Sequence, residues 1–167
     1  MHKKIGVVFL LFSCIWMILI FYLSSQNASQ SSSASNVIVN IVIEDFLKEI
    51  YENKPLFEQE QMRQIISHVV RKIAHFSEFG ILGLFVFLGF YFLLKSKLII
   101  YSLGVGIPII YAVVDEFHQG FVDGRSPQLF DVLIDSLGAI TMVLFITFII
   151  SIIEIVKFRR NNSKKNV

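Results

Sequence analysis

Four long apolar runs, Ile5 to Leu23, Phe79 to Leu94, Leu98 to Val114 and Leu137 to Ile153, decide the solvent in which this chain can fold. A hydrocarbon core about 30 Å thick is crossed by roughly 20 residues of helix, so the first run spans it alone and the other three must each recruit polar neighbours. Those neighbours enter the membrane boundary. Spans are predicted over about 5–23, 75–94, 98–117 and 131–155, with a loop at 24–72, all within one integral membrane domain covering 1–167. The fold class that follows is all-α: a polytopic bundle of four transmembrane helices, with an extracytoplasmic amphipathic helical segment between the first and second spans. Composition agrees, because 54% hydrophobic residues and 17 Phe in 167 exceed what a soluble domain of this size needs for its core.

The net charge of +2 matters less than its distribution. His2, Lys3 and Lys4, then Lys95 and Lys97, then Lys157, Arg159, Arg160, Lys164 and Lys165 fall at the N-terminus, in the second loop and in the tail. The positive-inside rule makes all three cytoplasmic, which an even number of spans allows. The segments 24–72 and 119–128 then lie outside, and the basic tail meets anionic lipid of the inner leaflet. A cleaved signal peptide is the competing reading of the N-terminus. Phe12 is bulky for a cleavage site, however, and the apolar run continues past Cys14 to Leu23 as an uncleaved anchor would. Cys14 is the single cysteine, so no intrachain disulfide and no thiolate metal site is available.

The outer loop opens with a Ser/Gln/Asn tract, Ser24 to Ser33, that lacks apolar groups and reads as flexible linker. Asn36 is placed to cap a helix from Val37 to about Tyr51, ended by Pro55. This helix is predicted to lie on the membrane surface or against the bundle. From Phe57, the apolar positions Ile65, Ile66, Val69, Val70 and Ile73 lead into the second span without a breaker.

The chemistry is concentrated at one end of three spans. Arg71, His75 and Glu78 lie at i, i+4, i+7 and share a helix face; Tyr111, Asp115 and His118 repeat the spacing, as do Asp131, Asp135 and Gly138. At about 1.5 Å per residue, Glu78 stands roughly 25 Å above Lys95, Asp115 roughly 27 Å above Lys97, and Asp135 roughly 33 Å above Lys157. Carboxylates this close to the hydrocarbon do not face lipid cheaply. They should face one another, an arginine or a water-filled pocket. An Arg71–Glu78 or Arg125–Asp131 pair could serve only as an interhelical clamp, but two histidines and the carboxylates Glu78, Asp115, Glu116, Asp131 and Asp135 exceed what a clamp requires. Asp123 and the acidic residues of the long outer loop read as a solvated face.

These residues are also recognisable. Arg71 to Phe79 (RKIAHFSEF), Asp115 to Phe121 (DEFHQGF), Gly124-Arg125, Asp131 to Asp135 with Gly138, and Ser24-Ser25-Gln26 behind the first span resemble the VanZ-like family of bacterial membrane proteins, over about Phe21 to Gly138. The resemblance implies a plasma-membrane address and a link to low-level resistance to teicoplanin, a lipid-bearing glycopeptide that acts outside the membrane. It carries no established molecular activity. Asp135 departs from relatives that often carry Asn there.

Two mechanistic classes stay open. In an enzyme, a pocket at the outer leaflet would act on an amphiphile through His75, Glu78, Asp115, Glu116, His118 and Asp131 as catalytic candidates, one clustered carboxyl holding a proton as general acid while a histidine or second carboxylate serves as base. Gln26, Arg71, Lys72, Gln119, Arg125 and Asp135 would hold the ligand, the basic groups taking a phosphate or carboxylate. In a binding protein, the same residues would retain a membrane lipid, a lipid-linked envelope precursor or the antibiotic without bond chemistry. A metal through His75, His118 and a carboxylate is an option, but the spacings are weak signals, so no ligand set is assigned and no cofactor is named. A transporter fits poorly, since the cytoplasmic halves of the spans stay apolar. Phosphate loops, dinucleotide fingerprints and nucleic-acid motifs are absent, so no nucleic-acid partner is expected.

Overall fold

The computed structural model describes residues 2–163, which form helices without a strand among them. In chain order these are α1 (His2–Ser24), α2 (Ala28–Val42), a π-helical turn (Ile43–Leu47), α3 (Lys48–Glu52), α4 (Leu56–Leu93), α5 (Lys97–Gln119) and α6 (Leu129–Ser163). Of these, α1, α4, α5 and α6 are long and apolar enough to cross a membrane. The expected helical membrane bundle is the observed one. Lys164 and Lys165 of the basic tail lie outside the described residues.

The spans are longer helices than the apolar runs alone suggest, and the segment between the first and second spans differs from expectation. The Ser/Gln/Asn tract does not stay a linker, and α2 starts at Ala28 rather than behind Asn36. The cause is a capping box: the Asn27 side-chain oxygen accepts from the Gln30 backbone N–H at 2.9 Å, and Gln30 Oε1 accepts from the Asn27 N–H at 3.2 Å. Two orphan donors are satisfied reciprocally, which offsets the poor helix propensity of the serines that follow. The buried hydroxyls of Ser35 and Ser67, 3.1 Å apart, then bind α2 to the first half of α4. The expected helix end holds: α3 stops at Glu52 and Pro55 stands as the N-cap of α4, which continues unbroken into the second span.

Side-chain pairs fix the directions. Gly6 lies against Gly89 and Leu93, Trp16 Nε1 donates to the Glu78 carbonyl at 2.9 Å, and Tyr111 donates to the Met17 carbonyl at 2.6 Å, so α1 runs antiparallel to α4 and parallel to α5. Lys72 meets Asp131 near one end, Gly80 meets Gly138 and Met142 further along, and Phe87 packs with Val143 beyond, so α4 and α6 are parallel. The spans therefore alternate in direction along the chain. α4 is the hub, packing on each of the other three.

Small residues permit these approaches, as packing between membrane helices requires. A Cβ added at Gly83 would sit 3.0 Å from the Ala139 carbonyl, one at Gly89 2.5 Å from Leu10, and one at Gly138 would collide with the Phe76 carbonyl. The interior is filled by Ile20, Phe79, Leu82, Val86 and Ala112, with a second cluster of Phe87, Ile100 and Val143 deeper in the bundle. On the outside, Leu11, Ile15 and Ile18 of α1, Ile110, Val113 and Val114 of α5 and Leu144, Phe145 and Phe148 of α6 are exposed. Such a continuous apolar surface suits lipid, and water poorly. The end of the bundle where α1 and α5 stop and α6 starts gathers the buried charged and amide side chains, and is called the polar end below.

Candidate functional site

Asp115 is the anchor of the polar end. It sits on the last turns of α5 with 2% exposure, and its Oδ2 accepts two hydrogen bonds, from Ser24 Oγ at 2.9 Å and from Gln119 Nε2 at 2.8 Å. The first ties α1 to α5; the second is the i, i+4 pair of one helix face. Gln119 is held in turn by Arg125, whose Nη1 donates to Gln119 Oε1 at 3.0 Å. A chain of hydrogen bonds thus runs from Ser24 through Asp115 and Gln119 to Arg125.

The loop behind α5 is shaped to return Arg125 to the bundle. The Arg125 N–H donates to the Val122 carbonyl at 3.1 Å across a turn whose third residue, Gly124, has φ 74°, a conformation that costs glycine little and other residues more. Glu116, buried at 6%, closes the other side of the loop by accepting the Gln128 backbone N–H. Burial, and next the like charge of Arg71, hold the Arg125 pKa below the ordinary guanidinium value, with Asp115, Glu116 and Glu78 opposing. Its Nε is buried and bonded to nothing among the described residues.

Two cavities open here. One of about 170 Å³ is lined by Lys72, His75, Gln119, Gln128, Asp131 and Asp135, together with Arg71 and Arg125. The other, about 180 Å³, lies toward α1 and α2 and is lined by Ser24, Gln26, Ser35, His75 and Glu78, again with Arg71 and Arg125. Arg71, His75 and Arg125 are common to both.

The residues singled out in the sequence are therefore divided. His75, Asp131, Asp135, Lys72 and Gln119 line the first cavity, and Glu78 and Gln26 the second. Asp115 lies beside His75 and Asp135: one ligand-type atom from each of the three falls within 4.8 Å of the other two. His75 Nδ1 is 3.8 Å from Asp135 Oδ1. His118 turns the other way, its ring tilted against that of Phe21 with centroids 4.4 Å apart and Nε2 3.1 Å from Ser25 Oγ. It lines neither of these two cavities. Among the described residues Lys72 pairs with Asp131 between α4 and α6, and neither the Arg71–Glu78 nor the Arg125–Asp131 pair offered by the sequence forms a salt bridge.

A family model described as VanZ/LLP1 matches residues 9–153. The chain belongs to the VanZ/LLP1 family. Comparison with curated proteins and with solved structures gives no match. The VanZ/LLP1 match reaches into all four apolar helices and includes every residue of the polar end named above.

Three contributors have no role assigned by the sequence alone. Ser24 lies in the tract that reads as linker, although the family-like Ser24-Ser25-Gln26 block contains it; it is the last residue of α1 and is 1% exposed. The signal was its position directly behind an apolar run, where a hydroxyl falls at the depth of Asp115. Trp16 resembled any lipid-facing aromatic, yet its indole N–H holds the Glu78 carbonyl. His68, one helical turn before Arg71 and Lys72, also lines the first cavity, and nothing in its spacing set it apart.

Proposed function

We propose that this VanZ/LLP1 protein holds the anionic head group of an envelope amphiphile at the extracytoplasmic face of the bacterial plasma membrane. By occupying that lipid or a lipid-linked wall precursor, it lowers susceptibility to teicoplanin or supports envelope integrity. The observation that carries this reading is the pair Arg71 and Arg125. Two like-charged guanidiniums line the same two cavities, the charge of Arg71 disfavours that of Arg125, and Arg125 keeps a buried N–H without an acceptor among the described residues. A phosphate placed between them would relieve the repulsion and accept in the forked geometry that guanidinium favours. A lost charge-assisted contact is worth about 1.5–3 kcal/mol, roughly ten- to hundred-fold in affinity.

Expression in a susceptible host should raise the inhibitory concentration of teicoplanin more than that of vancomycin, which lacks the lipid tail. Arg71→Gln and Arg125→Gln should remove the difference at unchanged protein level, while Glu58→Gln, on an exposed part of α4, should keep it. Equal protection by the arginine variants would refute the head-group reading; no protection by the parent would confine the role to another amphiphile.

The orientation rests on the basic residues. Lys3 and Lys4, Lys95 and Lys97, and Lys157 to Arg160 lie at the end opposite the polar one, which makes that end cytoplasmic, with both termini, by the positive-inside rule. In a Cys14→Ser background, an impermeant thiol reagent added to intact cells should label Glu49→Cys and spare Ser96→Cys. The reverse pattern would place the cavities in the cytoplasm and exclude an extracellular drug or its target.

Modification of the amphiphile is the second reading, favoured by His75 standing beside two buried carboxylates. Turnover of a phospholipid or lipid-linked precursor by the purified chain separates it from retention alone.

A further inference from the structure

We propose that His75, Asp115 and Asp135 form a three-ligand site for a divalent transition-metal ion, of which Zn²⁺ and Mn²⁺ are the representative probes. The site stands apart from the head-group reading and is tested without a lipid. Four observations carry it.

The first is reach. The three ligand-type atoms lie within 4.8 Å of one another, about twice a metal–ligand bond of roughly 2.0–2.4 Å, so one ion fits among them with small side-chain adjustments. The second is burial without partners. Asp115 and Asp135 are 2% and 1% exposed, and Oδ1 of each is buried with no hydrogen-bond donor among the described residues. Native interiors rarely leave such oxygens bare, and a role in holding an ion is one of the recognised reasons.

The third is orientation. Both hydrogen bonds to Asp115, from Ser24 and Gln119, fall on Oδ2 and leave Oδ1 free. Gln119 is itself fixed by Arg125. Outer groups that fix a carboxylate through one oxygen and expose the other are what a metal ligand requires. The fourth is charge. Among the described residues no lysine or arginine forms a salt bridge with Asp115 or Asp135, Lys72 being taken by Asp131. Neither buried carboxylate is thus paired directly with a lysine or arginine in a low-dielectric setting, and a divalent ion would neutralise them.

The donor set selects the class of ion. One imidazole and two carboxylates fit Zn²⁺ or Mn²⁺, whereas Ca²⁺ requires six to eight oxygens and Mg²⁺ seldom takes imidazole. Three protein ligands leave positions for water or for an oxygen of a molecule in the cavity that His75 and Asp135 line.

The test uses the full chain in detergent, stripped with chelator and equilibrated with Zn²⁺ or Mn²⁺ alone, bound metal being measured by elemental analysis. About one ion per chain is expected, unaffected by an equal concentration of Mg²⁺ or Ca²⁺. Asp115→Asn and Asp135→Asn should each weaken binding by tenfold or more, while His118→Ala, which removes the nearby histidine facing α1, should leave it intact. Zinc-edge absorption spectroscopy of the unmutated chain provides a readout independent of any variant's folding: one imidazole and oxygen neighbours are expected. A stripped chain that binds no ion, displacement by Mg²⁺ or Ca²⁺, loss of binding in His118→Ala, or a second imidazole or a sulfur neighbour would each overturn the assignment.

Discussion

Replacing Gly138 with alanine is expected to lower the thermal stability of the detergent-solubilised chain sharply, whereas Gly106→Ala leaves it unchanged or slightly raised. The contrast isolates close helix approach from helix propensity. At Gly138 the new Cβ would collide with the Phe76 carbonyl oxygen and lie 2.9 Å from its carbon, both backbone atoms that no rotamer change can move. α6 would have to shift away from α4 around the contact, and overpacking of this kind costs about 1–3 kcal/mol or more. At Gly106 nothing lies within 4 Å of the added methyl, so the ordinary preference for alanine, up to about 1 kcal/mol, is all that remains. The measurement is the midpoint of thermal unfolding by size-exclusion survival or by circular dichroism. Since Phe76 directly follows His75, and Gly138 stands one turn from Asp135, the same substitution should also pull His75 from Asp135. Equal midpoints for the two variants would show that α4 and α6 are not packed at this distance.

Gly138 also marks the boundary of what the sequence discloses. The four spans were legible because hydrocarbon thickness fixes helix length, and because residues able to face lipid form unbroken runs. The polar stripes were legible because i, i+4, i+7 spacing is a property of one helix. The azimuth of each helix is not, since it is set by partners distant in the chain. His75 and Asp135 come together only because Gly138 and Gly80 let α4 and α6 run in close parallel contact. His118 turns toward Phe21 because α1 ends beside α5, a placement that spacing on α5 alone does not contain. The serine tract misled for a different reason. Composition predicts disorder when no apolar group is available, but a capping box and the Ser35–Ser67 contact order α2 through polar groups. Reading Asn27 and Gln30 as a pair would have moved the helix start to its observed place.

Asp115→Ala is the second substitution expected to have a large effect, and its cost should spread beyond α5. Removing the carboxylate strands the Ser24 hydroxyl at a buried site and leaves the Gln119 amide only its 3.5 Å contact to Ser24 Oγ, and a stranded buried group costs about 1–3 kcal/mol. Gln119 would also lose the contact that holds it for Arg125, so the loop carrying Arg125 should loosen together with the α1–α5 tie. Faster proteolysis or hydrogen exchange across residues 120–128 reads the first effect, and a lower unfolding midpoint reads the second. A double-mutant cycle with Ser24→Ala should give a coupling energy of about 0.5–3 kcal/mol, because the single hydrogen bond between them is the shared element. Asp115→Asn separates structure from chemistry: it retains an oxygen to accept from Ser24 and Gln119, so most of the stability should survive, while the negative charge is gone. If Asp115 were only a clamp between helices, the asparagine chain would behave as the parent in every assay. A folded Asp115→Asn chain that no longer binds Zn²⁺ or no longer protects against teicoplanin would show that the polar end carries its charge for a ligand, and additive effects in the cycle would remove Asp115 from the centre of the network altogether.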